Sequence, residues 1–286
     1  MRLEDHRSEH TAAHVATRVA FDPKFAPRII LAVSPCRSGS TVLLRAFGGI
    51  GVESHFQQLK NLLRWSLLGQ DQSWTIPSSA GPDLLMKETI GPFTEAECAF
   101  NPLQVMLDVG FPTEKLHVVT LGRAPLITWA SWYGFWPDRA PMANMIKAFV
   151  TTNQIQEQAR VLGIASTCLV FEAFRDNAPE AVFRSLFQRL GLVYSPLAIQ
   201  GWDASPGFGA PGSNIVLPVE PNRFITPGIH DRVKNASQFA YTANERALSD
   251  IKPTDRDAIV SSRLPAIYES WRKKSVENLQ LNINGA

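Results

Sequence analysis

Apolar positions fall into short blocks that alternate between two periods. RIILAVS (28–34) is an unbroken apolar run rich in branched residues, which predicts a buried parallel strand. TVLLRAFGGIG (41–51) follows with helical spacing. LLMK (84–87) predicts a second strand, and NPLQVMLDVG (101–110) a helix stopped by Gly110. LHVVTLG (116–122) predicts a third strand, and PLITWASWYGF (125–135) a helix opened by Pro125. Residues 141–163 keep helical periodicity to a Gly stop, STCLVF (166–171) predicts a fourth strand, and residues 179–191 an amphipathic helix from Pro to Gly. Strands alternating with helices predict an α/β fold: one domain with a central parallel sheet flanked by helices. Residues 1–25 read as a tail or irregular lead-in to a domain spanning 26–286. Residues 201–235 break the alternation with five prolines and five glycines, so they read as a lid-like insert. Thr242 and Glu245 have the spacing of a capping box at the start of a C-terminal helix.

Composition narrows the classes. The chain has 286 residues, 45% of them hydrophobic, which suits a sizeable core and excludes a disordered chain. Its 28 basic and 26 acidic side chains leave a charge of +2, which gives no reason to expect nucleic acid or an anionic membrane as partner. The apolar runs are too short for a bilayer, so no membrane span is expected. Cys36, Cys98 and Cys168 are odd in number and widely spaced, which speaks against a disulfide framework or a metal site. With no apolar leader at the N-terminus, a reducing cytoplasm is expected.

Chemistry concentrates at two strand ends. After the first strand, Arg37, Ser38, Gly39, Ser40 and Thr41 open a helix. Free N–H groups of a helix start favour anions, Gly39 permits close approach, and the hydroxyls and guanidinium add donors. The loop reads as a phosphate cradle without the Walker spacing. The plain alternative is an ordinary strand–helix turn with a capping Ser and an exposed Arg. Arg123 closes the third strand, and Ser131 lies eight residues on, where both can converge on one anion. The plain alternative is a sheet-edge Arg and a helix-surface Ser.

These segments together resemble the PAPS-dependent sulfotransferases, on a P-loop-like α/β fold. The resemblance covers roughly residues 28–250. SPCRSGST (34–41) is similar to the family's 5′-phosphosulfate loop, and RAPLITWASWY (123–133) to its 3′-phosphate segment. CLVFEAFRDNAPEAVFRSLFQRLGL (168–192) matches a third signature and sets Phe171 where an adenine-contacting Tyr stands. HDRVKN (230–235) and NER (244–246) are similar to a fourth, which implies cofactor contacts from Lys234 and, upstream, Arg223. Val42 replaces the cytosolic branch's adenine-stacking Trp. Lys87-Glu88-Thr89 keeps the Lys of a catalytic K-T-H but not its His, and Arg37 stands for the usual Lys.

The resemblance implies sulfuryl transfer from PAPS to a hydroxyl or amine of a small-molecule acceptor, with PAP as product and no metal. Arg37 and Lys87 would neutralise the departing phosphate. Glu53 or His55, in GVESHFQQ (51–58), and then Glu88 are the candidate bases; the plain alternatives are a polar surface turn and a salt-bridged acid. Tyr133 and Trp136 are candidates for lining the acceptor site, with residues 201–229 as the lid. Cys36 reads as a small filler and His117 as a satisfied core histidine. Two other readings stand beside this one: a P-loop kinase-like ATP enzyme, and a non-catalytic nucleotide-binding scaffold. A homo-oligomer stays open.

Overall fold

The computed structural model describes residues 12–78, 81–242 and 248–284. Glu245, the second half of the expected capping box, and the NER segment (244–246) lie outside them, as do His6 and His10. The main sheet has six parallel strands, β2 (Arg28–Pro35), β3 (Glu53–Phe56), β5 (Asp83–Ile90), β6 (Leu116–Gly122), β7 (Ala165–Val170) and β8 (Ile215–Val216). Their order is β7-β6-β2-β5-β3-β8. A separate parallel pair joins β1 (Val19–Ala20) to β4 (Trp74–Thr75). The helices that position the site are α1 (Ala12–Ala16), α2 (Thr41–Gly49), α3 (Gln58–Ser66), α4 (Glu95–Ala99), α5 (Pro102–Asp108), α6 (Pro125–Phe135), α7 (Met142–Val161), α8 (Ala173–Asp176), α9 (Pro179–Arg189), α10 (Asp231–Lys234), α11 (Pro253–Val260) and α12 (Leu264–Leu279).

The unbroken apolar strands are so because helices cover both sheet faces. β2 sits at the centre, with β5 on one side and β6 on the other, and Ile29 to Val33 are all but inaccessible. The second expected strand, LLMK, extends to eight residues because Glu88 and Thr89 are buried strand residues too. ESHF, a polar turn in the plain alternative, is strand β3. Its polar letters hide the strand: Ser54 Oγ donates to the Val52 carbonyl and His55 Nε2 meets Glu53, while His55 Nδ1 is buried without a partner.

Residues 12–20, expected in the lead-in, form α1 and β1. Val15 and Ala16 are buried in the core, a signal too brief for periodicity to reveal. One hydrophobic cluster runs from Val15 to Ile283. No helix of the described residues is long and apolar enough to cross a membrane. The insert contributes β8, which pairs with β3 at the sheet edge.

Packing fixes where the third strand ends. A Cβ on Gly122 would lie 2.6 Å from the Trp271 ring of α12. Trp271 is fully buried and stacks on Phe149 at 5.5 Å. The expected outcome for Gly122→Ala is a loss of about 1–3 kcal/mol of unfolding free energy, read from urea melts. Combined with Trp271→Leu, the loss should be smaller than the sum of the two single losses.

Candidate functional site

The carboxyl ends of β2, β5 and β6 meet at one place, where open α/β sheets bind ligands. β2 runs out at Pro35, and two left-handed residues follow, Arg37 at φ 72° and Gly39 at φ 88°. A left-handed turn is cheap for glycine and costly for arginine. Arg37 is held there by its side chain. Nε donates to Ser131 Oγ at 2.9 Å, a terminal N–H donates to the Ile229 carbonyl at 3.2 Å, and the guanidinium lies 4.2 Å from the Phe135 ring. Gly39 has no room for a side chain, because a Cβ would meet the Phe171 ring at 2.4 Å. Arg123, at the end of β6, donates to the Arg37 carbonyl at 3.3 Å and lies over Phe171 at 5.2 Å. Arg123 Nε and Ser38 Oγ are buried without a hydrogen-bond partner.

The two segments singled out in the sequence therefore touch, 94 residues apart. The contact differs from the expectation in one respect. Arg37 and Ser131 were assigned to opposite phosphates, yet they bond to each other. Arg37, not Ser131, lines the cavity, because Ser131 stands one layer back on α6.

That cavity measures about 420 Å³. Seven Lys and Arg side chains line it against two acids, Glu220 and Asp231. Arg64 is neutralised by Glu97 at 2.9 Å and by Glu220. Arg37 and Lys87 are not paired in this way. Burial brings Arg37 down to about 10 and Lys87 down to about 7. Lys87 Nζ rests 4.2 Å over the Phe56 ring. Lys60 Nζ donates to Thr89 Oγ1 at 3.1 Å and to the Gly91 carbonyl, with Glu97 at 3.9 Å. Lys60, Arg64 and His230 are site residues that the sequence reading missed. Lys60 and Arg64 sit on α3, directly after β3, whose polar letters give no strand signal. His230 belongs to the irregular segment, where periodicity says nothing.

The expected bases lie elsewhere. Side chains alternate along β3, so Glu53 and His55 share the face opposite Phe56, which lines the cavity. They bond to each other at 2.6 Å, with Trp74 5.5 Å from the imidazole. Burial lowers His55, against the pull of Glu53. Glu88 is committed to α3: its two oxygens accept the Leu59 and Lys60 N–H groups at 2.9 and 3.1 Å. It supplies from the next strand the cap that Gln57, in a left-handed conformation, does not provide. Burial still raises Glu88 to about 7. Arg223 is exposed and outside the cavity; Arg232 and Lys234 of the same segment line it. Ser40, Thr41, Val42 and Phe171 line it as well.

The insert forms the cavity's outer wall. Trp136 joins it, donating to Thr226 Oγ1 at 2.8 Å, whereas Tyr133 faces a separate groove. Arg45 of α2 fastens the insert through the carbonyls of Trp202 at 3.2 Å and Lys234 at 2.6 Å. Asn61 and Trp65 of α3 both donate to the Val219 carbonyl at 3.0 Å. Cys36 is buried between Thr89 and Gly91, consistent with a filler. His117 is met by Thr167 Oγ1 at 2.8 Å, and burial lowers it to about 4.

Lys87 makes a pH signature. The unfolded chain keeps its proton to about 10.4, the folded chain only to about 7. Between these values the unfolded state binds more protons, so stability rises with pH. Lys87→Met should flatten that rise and add about 1 kcal/mol or more at neutral pH, measured by urea melts across the range.

No protein-family model matches the chain, and no curated protein matches it either.

Proposed function

We propose that this chain is a PAPS-dependent sulfotransferase that moves a sulfuryl group to a hydroxyl or amine of a small-molecule acceptor. One observation carries the reading. The two segments read from the sequence as anion-binding meet through Arg37 and Ser131 at a cavity with excess positive charge, beside the unpartnered Arg123 Nε and Ser38 Oγ. Buried donors without acceptors suit a ligand that brings oxygens.

PAPS, when bound, supplies the activated sulfuryl group. The first-loop N–H groups with Ser40 and Thr41 would hold its 5′ side. Arg123, which donates to the Arg37 carbonyl, would hold the 3′-phosphate, and Phe171 would offer a face to the base. Lys87 and Arg37 would stabilise charge on the departing phosphate from buried and half-buried positions, where each charge counts for more than in water. Phe93, Trp136 and Phe224 make an apolar wall for the acceptor, with Phe93 set 5.4 Å from Trp136 and 6.2 Å from Phe224. All three cysteines are free and buried, which fits the cytoplasm proposed here.

Calorimetry with adenosine 3′,5′-bisphosphate and ADP, each with and without Mg²⁺, tests the assignment. Metal-independent binding of the bisphosphate, with ADP much weaker, is the expected result. Preference for Mg–ADP moves the chain to the kinase-like class, and binding of neither leaves a scaffold. Arg123→Ala should weaken bisphosphate binding about 10–100-fold. Arg37→Ala should instead cut turnover by about 10²–10³. Equal, small effects would overturn these roles.

A further inference from the structure

His230 is the one imidazole on the cavity wall among the described residues. It belongs to the insert, and it reaches back to the first helical residue of the phosphate loop. Its Nδ1 is 3.2 Å from Thr41 Oγ1, and its ring meets Phe56 edge-on at 5.2 Å and 79°. Lys87 of β5, Arg37 of the loop, Lys60 of α3 and Lys234 of α10 surround it with positive charge. Asp231 and Glu220 are the acids on the same wall, and Arg232 is a further cation. Burial first, and then these four cations, pull the imidazole far below its usual range. In the free protein it is therefore neutral and a poor base.

We propose that His230 is the group that takes the acceptor's proton, and that an anion seated in the phosphate loop switches it on through Thr41. This rests on the sulfotransferase reading. A threonine hydroxyl has one proton to give. With an anion in the loop, Thr41 donates to it, and the Thr41 lone pair is left to accept from the imidazole. His230 must then carry its proton on Nδ1, which leaves the Nε2 lone pair free. The same anion offsets Lys87, Arg37 and Lys60, so imidazolium becomes affordable to the site.

The step balances. The acceptor oxygen forms a bond to sulfur as the bond from sulfur to the phosphate oxygen breaks. The phosphate leaves with that electron pair, and the acceptor's proton passes to Nε2. Proton transfer is thus confined to the loaded site, where the residues expected from the sequence, Glu53, His55 and Glu88, take no part.

The test is a pH titration of the full chain labelled with ¹⁵N at histidine, with and without adenosine 3′,5′-bisphosphate, with the His230 signals assigned by His230→Asn. Tryptophan indole signals report occupancy independently. The expected result on saturation is an Nδ1–H tautomer and a rise in the His230 titration midpoint of about 2 units or more. Thr41→Val should abolish the tautomer shift. Once an acceptor is in hand, His230→Asn should lower kcat about 10²–10⁴-fold with bisphosphate affinity within about twofold, the affinity confirming a folded site. Occupancy without any change at His230 overturns this proposal and leaves the sulfotransferase reading intact. Absence of bisphosphate binding overturns both.

Discussion

The constraint on which the site depends is positive charge held out of water without an equal negative charge beside it. Lys87 is 1% exposed and Arg123 9% exposed, and burial lowers both. Such groups destabilise the folded chain unless something compensates. The compensation is the sheet beneath them, whose central strands bury nearly every side chain. Arg64 marks the contrast. It is buried as deeply but sits between Glu97 and Glu220, which hold it above its ordinary value despite burial. Among the cations that line the cavity, Arg64 is paired with carboxylates, whereas Arg37 and Lys87 are not.

This division explains what the sequence discloses and what it hides. The strands β2, β6 and β7 and the helices around them were legible because their apolar runs and Pro or Gly ends carry the physical rule for burial. Arg37 to Thr41 and Arg123 were legible because a strand end opening a helix is a local feature. The base was not. GVESHFQQ hides its strand because the run is short and mostly polar. Whether Glu53 points into the cavity or away depends on one residue of register, which the letters do not specify. Glu88 beside Lys87 suggested paired chemistry, yet alternate residues of a strand face opposite ways. One reached the cavity and the other capped α3.

The insert presents the opposite case. Its prolines and glycines announced irregular structure correctly, but irregular structure has no periodicity from which to read partners. Only the folded chain reveals that Ile225 to Lys234 lie against the loop after β2. The contacts are long in sequence, with Thr41 and His230 separated by 189 residues and Arg37 and Ile229 by 192. A site assembled over such distances forms only once the whole sheet is in register.

The way the insert is fastened has its own consequence. Arg45, Asn61 and Trp65 hold it by the main-chain carbonyls of Trp202, Lys234 and Val219. Every amino acid has a carbonyl. The segment that walls the cavity can therefore exchange side chains in the course of evolution while its anchorage persists. A lineage could retune what the cavity admits without loosening the wall that encloses it.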